Sequence, residues 1–172
     1  MSFRQIRAED QDALAALFSR MSPESRWRRY FAPKPRLTGA ELVYLTDIDH
    51  LTHEAVAAVD DDGRIIGVAR YAQTSDRDTV EIAVEVDDDH QRNGLGRALV
   101  TTVMLSASGR GYRRMVATIL WENWPARSLF KSLGFCAFRS GDGVVELQAN
   151  GLAAMKKIAT NTSTPSTISA VM

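Results

Sequence analysis

The residues best placed to do chemistry lie between Glu81 and Arg97. In Thr79-Val80-Glu81-Ile82-Ala83-Val84-Glu85-Val86 a strand would set Val80, Ile82, Val84 and Val86 on one face and Glu81, Ala83 and Glu85 on the other. A carboxylate bordering a cleft can take or relay a proton. The same two carboxylates are also what a half-exposed sheet face would carry as solvated charge. The segment runs into Gln91-Arg92-Asn93-Gly94-Leu95-Gly96, after which Ala98, Leu99 and Val103 continue a helical spacing. A glycine turn that opens a helix presents unpaired N–H groups at the positive end of the helix dipole. That suits a pyrophosphate, although most glycine turns are only turns. The dinucleotide fingerprint needs a third glycine where Leu99 stands, and the P-loop needs Gly-Lys followed by Ser or Thr, which is absent. From Glu81 to Asp87 is roughly 20 Å of extended strand at ~3.3 Å per residue. That is the reach of a pantetheine arm. A carboxylate one arm from a pyrophosphate loop suits a coenzyme A thioester better than a nucleotide, whose reacting phosphates would lie at the loop itself.

The flanking elements must hold this segment in place. Residues 3–7 read as a short strand, and residues 10–20 as a helix with Asp10 as its cap. A second helix starts at Ser22-Pro23 and runs through Tyr30, and Thr38 with Glu41 forms a capping box for a third. Strands at 54–59 and 64–72 are joined by Asp60-Asp61-Asp62-Gly63, a hairpin signal. After the strand at 79–86 and the long helix come a strand at 115–120 and a helix at 125–133 capped by Asn123 and ended by Gly134. Strands at 135–139 and 143–148 close the domain. The predicted class is α/β (α+β), with one domain over 1–149 and a Ser/Thr-rich tail over 150–172 expected to be disordered.

Two segments then resemble a known family. Val84 to Val100 resembles motif A of the GNAT N-acetyltransferase superfamily, with Gln91, Gly94 and Gly96 filling its loop pattern. Asn123, Ala126, Leu129 and Leu133-Gly134-Phe135 resemble the family's second signature. The resemblance covers roughly residues 3–149 and implies a twisted, mixed, mostly antiparallel sheet of about six or seven strands flanked by about four helices. It implies that this sheet is splayed between its fourth and fifth strands, with acetyl-CoA in the gap. It further implies that the backbone of Val84, Glu85 and Val86 pairs with the pantetheine arm. The amides of Arg92, Asn93, Gly94, Leu95, Gly96 and Arg97 would cradle the pyrophosphate, and Asn123 and Phe130 would border the cofactor. Glu81 matches the general base of GNAT histone acetyltransferases and bacterial protein lysine acetyltransferases. An amine attacks a thioester only when neutral, and with lysine near ~10.4 and glutamate near ~4.3 a bare carboxylate is a poor base. It would need a raised pKa or a relaying water. A backbone amide near Val84 is expected to polarise the thioester carbonyl. Many relatives carry Tyr at Phe130 to protonate the leaving thiolate, which Phe cannot do.

The amino-terminal half, through Ser22-Pro23-Glu24-Ser25-Arg26, Arg29-Tyr30-Phe31 and Leu45-Thr46-Asp47-Ile48-Asp49, resembles the bacterial protein lysine acetyltransferases. Some of those act on acyl-CoA synthetases. The implied partner is therefore a protein with an exposed lysine, an acyl-CoA synthetase among the candidates. Small-amine acetylation and a non-catalytic acetyl-CoA sensor are the rival readings. Asp47, Asp49 and Glu85 are candidates to attract a cationic amine, with Asp47 and Asp49 equally readable as residues that cap and solvate a loop. Arg26, Arg28 and Arg29 read as a solvated helix face or as a contact for an acidic group. Trp121 and Trp124 read as core aromatics or cleft lining, and Cys136 as a buried hydrophobe.

Bulk properties bound the rest. The 172 residues carry 21 basic and 21 acidic side chains, so no basic excess supports a nucleic-acid partner. No apolar run is long enough for a bilayer, the first residues lack a secretory stretch, and one cysteine allows no internal disulfide. A cytoplasmic location without a membrane partner is expected. His50, His53 and His90 show no metal-ligand spacing.

Overall fold

The computed structural model describes residues 1–151. Among them, β1 (Ser2–Gln5), β2 (His53–Val59), β3 (Ile65–Gln73), β4 (Thr79–Val86), β5 (Arg114–Leu120), β6 (Cys136–Gly141) and β7 (Val144–Asn150) form one sheet, ordered β1-β2-β3-β4-β5-β7-β6. Neighbours are antiparallel except β4 and β5, which run parallel. Five helices accompany them: α1 (Gln11–Arg20), α2 (Pro23–Tyr30), α3 (Gly39–Thr46), α4 (Leu95–Gly109) and α5 (Trp124–Ser132). The predicted mixed, mostly antiparallel sheet is therefore present. Its last strand reaches Asn150, and the Ser/Thr-rich tail beyond Gly151 lies outside the described residues.

The helix starts follow local chemistry. Ser22 Oγ accepts from the Ser25 N–H at 3.1 Å with Pro23 in the first helical position. Thr38 and Glu41 close a reciprocal capping box at 3.2 and 2.8 Å. Asn123 Oδ1 accepts from Ala126 N–H at 3.2 Å. Asp10 departs from expectation, because its side chain does not cap α1. It takes both Arg4 nitrogens, at 2.7 and 2.8 Å, and the Arg7 N–H at 2.8 Å. A forked, charge-assisted pair outweighs one amide bond.

The central strands of the sheet are covered on both faces. On one, Val80 and Ile82 of β4 pack with Leu99, Val103 and Met104 of α4 and Phe130 of α5. On the other, Ala57 and Val68 pack with Leu14, Leu17 and Phe18 of α1 and Leu45 of α3. Each such large side chain contributes roughly 1.5–3 kcal/mol through removal from water. The approach of α4 to β3 is close: a Cβ at Gly67 would lie 3.0 Å from Leu99 Cδ1 and 3.2 Å from the Glu85 carbonyl oxygen.

Two expectations fail at the far edge. Cys136 is exposed, because β6 is the last strand of the sheet and every residue in it is exposed. Trp121 and Trp124 are also exposed, at 50% and 61%. They hold the Arg127 guanidinium between them, 4.1 and 4.3 Å from the two rings, instead of packing in the core.

Candidate active site

β4 and β5 pair only from Thr79 to Glu81 against Arg114 to Val116. Beyond that point β4 continues beside β3, and β5 beside β7. The sheet therefore opens between its fourth and fifth strands, and the facing backbone edges of residues 82–86 and 117–120 are left to a cleft. The cleft is about 680 Å³ and is lined by Glu81, Val84, Glu85 and Val86 of β4, by Gln91, Arg92, Gly94, Gly96 and Arg97, and by Asn123 and Phe130. Sequence-predicted positions from three separate segments thus meet in one space.

Glu81 stands where the strands part. It is exposed, and its Oε1 accepts from the Thr118 hydroxyl on β5 at 2.8 Å. That bond spans the mouth of the gap and fixes the carboxylate's direction. Thr118 escaped the sequence reading, since only the parallel register of Glu81 with Val116 brings β5 across from β4.

The turn before α4 has the geometry its glycines imply. Arg92 and Gly94 have φ of 64° and 82°, and Gly94 occupies the cap position of α4 with no side chain to bond the first N–H groups. The Ala98 N–H reaches the Gly94 carbonyl at 3.1 Å, so the Leu95, Gly96 and Arg97 amides precede the first intrahelical bond. Gln91 shapes this turn: its side-chain amide donates to the Val86 carbonyl at 3.1 Å and to Asp88 Oδ1 at 2.8 Å. Asn93 is exposed beside it, and Leu95 is buried against the sheet. Phe130 is 2% exposed and meets Phe135 edge-on at 5.0 Å, so its ring is a wall of the cleft.

A second polar group lies on the same face as Glu81. The register sets Val68 beside Glu85, Arg70 beside Ala83 and Ala72 beside Glu81. Glu85 is 5% exposed and Arg70 6% exposed. Glu85 Oε2 accepts from the Tyr30 hydroxyl at 2.9 Å and lies 3.7 Å from Arg29 Nε. Its Oε1 is 4.0 Å from Arg70 Nη2, too far for a hydrogen bond. Arg70 Nη1 donates to the Leu45 carbonyl at 3.0 Å. Burial works to lower the Arg70 pKa against the Glu85 charge that raises it. Burial, with the Glu85 charge, pushes the Tyr30 phenol well above its ordinary value. Nearby His53 is held down at about 4, chiefly by burial and then by Arg70. Arg29 thus faces an acidic group inside the cleft and is not on a solvated face, whereas Arg28 pairs with Glu24. Arg70 had a visible signal: it is the one charge inside Ile65–Gln73, a strand otherwise buried along most of its length.

Asp47 and Asp49 do not join this group. Neither lines the cleft. Asp49 accepts from the Thr52 hydroxyl and the Leu51 and His53 N–H groups at 2.6, 2.9 and 2.8 Å, and these bonds hold its carboxyl well below the usual carboxylate range. Its oxygens close a turn, so the expected attraction for an amine is not what this geometry provides.

A mostly antiparallel sheet that opens between its one parallel pair of strands, opposite a helix-opening glycine turn and with a carboxylate at the mouth, defines a class. The chain belongs to the acetyltransferase (GNAT) family, whose profile matches residues 20–135. It is an N-acetyltransferase. An acetyltransferase of Pseudomonas aeruginosa is 32% identical over 81% of this chain and 76% of its own length. The acetyltransferase Pat of Mycolicibacterium smegmatis is 31% identical over 72% of this chain, which spans 38% of that protein. Among solved structures, the GNAT domain of S. lividans PAT superposes with a TM-score of 0.82 at 32% identity, covering 86% of this chain and 89% of that one. A phosphinothricin acetyltransferase from Sinorhizobium meliloti, solved with acetyl-CoA, shares the fold at a TM-score of 0.72, 22% identity and 87% coverage of each chain. No helix among the described residues is long and apolar enough to cross a membrane.

Proposed function

We propose that the protein transfers acetyl directly from acetyl-CoA to a primary amine, with Glu81 as general base acting through a water molecule. The observation that carries this is the Glu81 carboxylate, held by Thr118 at the mouth of the β4–β5 gap. The amine nitrogen forms a bond to the thioester carbonyl carbon, the C–S bond breaks, and the amine proton passes through water to Glu81. Coenzyme A leaves as the thiolate, which a thiol acidity near ~8.5 tolerates, so Phe130 is no obstacle. The backbone N–H groups of Arg92 to Arg97 would receive the pyrophosphate, and the free edge of Val84 to Val86 the pantetheine arm.

Two acceptors are in contention. A protein lysine, on an acyl-CoA synthetase for example, is supported by the exposure of Glu81 and by the resemblance of the amino-terminal half. A small amine is favoured by a specific observation: the cleft wall holds two arginines and a buried glutamate, which an aliphatic lysine side chain has no use for. Incubation with acetyl-labelled acetyl-CoA and a cell extract, beside Glu81→Gln, separates them. Glu81-dependent label in protein establishes lysine, and label in small metabolites establishes the small amine. Equal label with the Glu81→Gln variant removes Glu81 from the mechanism.

A further inference from the structure

The Arg29–Arg70–Glu85 group carries more positive charge than its own partners neutralise. Two guanidinium groups face one carboxylate, so the formal sum is one positive charge, set in a wall where Arg70 and Glu85 are 6% and 5% exposed. Removing a guanidinium from water costs several kcal/mol unless charge and hydrogen bonds are both matched. Here neither is. Arg70 Nη2, Arg29 Nε and Glu85 Oε1 are buried without a hydrogen-bond partner. His53 Nε2, on the strand beyond Arg70 and in the same cleft, is also buried without one. A water could accept from the guanidinium donors and donate to Glu85 Oε1 but would leave the charge unmatched.

The arrangement is placed for catalysis. Arg70 lies diagonally across from Glu81 on one face of neighbouring strands, since Ala72 pairs with Glu81 and Arg70 with Ala83. That diagonal is roughly 7–8 Å between Cα atoms. A molecule with its amine at the water beside Glu81 would bring a group only a few bonds away to Arg70 Nη2 and Arg29 Nε. A carboxylate there supplies the missing negative charge and accepts from both donors in the geometry that guanidinium groups prefer.

We propose that Arg70 and Arg29 form a carboxylate subsite, and that the acceptor is a small amino acid whose amine is acetylated while its carboxylate is held by this pair. The proposal rests on the small-amine reading above. It predicts discrimination against lysine residues within proteins and against amines without an acid group.

The experiment uses the full chain with two readouts. The first is kcat/KM for acetyl transfer to a panel of α- and ω-amino acids, each beside its decarboxylated amine, together with a lysine-containing peptide. The second is calorimetric binding of the matching desamino carboxylic acids in the presence of coenzyme A, which needs no chemistry. Carboxylated acceptors should exceed their decarboxylated partners by at least about tenfold, the scale of a hydrogen bond to a charged group. Arg29→Gln, at a partly exposed position, should raise KM for the amino acid about tenfold or more and shift the decarboxylated amine's KM far less, so that the ratio between the two falls. Arg70→Lys should restore part of the preference that Arg70→Gln removes. Amines acetylated regardless of a carboxylate would overturn the subsite and leave acetyl transfer standing. Carboxylic acid binding that Arg29→Gln abolishes, with no amine turned over, would support the subsite and overturn the acetyl-transfer reading. Absence of carboxylate binding in the folded wild-type protein would overturn the subsite.

Discussion

Replacing Glu81 by Gln tests the mechanism with little structural disturbance. Glu81 is exposed and bonds Thr118 at 2.8 Å. Gln has the same shape, and its carbonyl oxygen can still accept from that hydroxyl. Stability should therefore stay within ~0.5 kcal/mol, as for surface substitutions generally. Acetyl-CoA should bind as before, since the glycine turn and the Val84–Val86 edge are untouched. What is lost is proton acceptance, worth about 10²–10⁴ in rate, or about 2.7–5.4 kcal/mol at 1.36 kcal/mol per decade. The assay is initial-rate thiol release with a competent acceptor, beside calorimetric affinity for acetyl-CoA and a melting curve. A lower kcat with unchanged affinity and melting temperature is expected. If kcat stays within about threefold of wild type, the carboxylate is not the base and the reasoning from the strand opening fails. Thr118→Val should lower kcat less, about three- to tenfold, because it loosens the carboxylate without removing it.

Three further expectations follow from the same geometry. Gly94→Ala forces a side chain into φ +82° in otherwise open space, which should cost about 1 kcal/mol and lower the melting temperature by about 3 °C. Gly96→Trp should abolish cofactor affinity with the fold retained, because a Cβ there already meets Leu129 at 3.6 Å and Val86 at 3.8 Å and the indole must enter the cleft. His53 is held at about 4 when folded, below the ordinary 6.5, chiefly by burial. The unfolded chain therefore binds the extra proton first. The contribution to stability is present above pH 6.5 and declines as pH falls toward 4, so His53→Gln should flatten the wild-type slope of melting temperature over that window.

The fold was largely legible because its signals are local. Thr38 with Glu41, Ser22 with Pro23, and Asp60 to Gly63 fix element ends within a few residues, and the alternation of Val80, Ile82 and Val84 fixes a face. The glycine turn was legible for the same reason. The remainder depends on register. Thr118 reaches Glu81 and Arg70 approaches Glu85 only through strand pairings that span tens of residues. Arg29 looked like part of a charged helix face until α2 was laid over β4. Cys136 and the tryptophans Trp121 and Trp124 were read as interior because apolar character alone does not reveal an edge strand or an exposed helix start. Asp49 carries the charge an amine would seek, yet the Asx turn it closes is energetically preferred.

The short pairing of β4 with β5 has a mechanical consequence. Between one half-sheet (β1 to β4) and the other (β5, β7 and β6), the paired residues run from Thr79 to Glu81, preceded by the Asp78 carbonyl, which accepts from the Arg113 and Arg114 N–H groups. A cosubstrate that bridged the open edges would act as mortar between two leaves. Whatever free energy it gains from both leaves at once opposes their separation, so melting temperature should rise with ligand concentration by mass action. Slowed amide exchange should be concentrated along Ile82–Val86 and Ala117–Leu120, the two lips of the seam, and should fade toward β1 and β6.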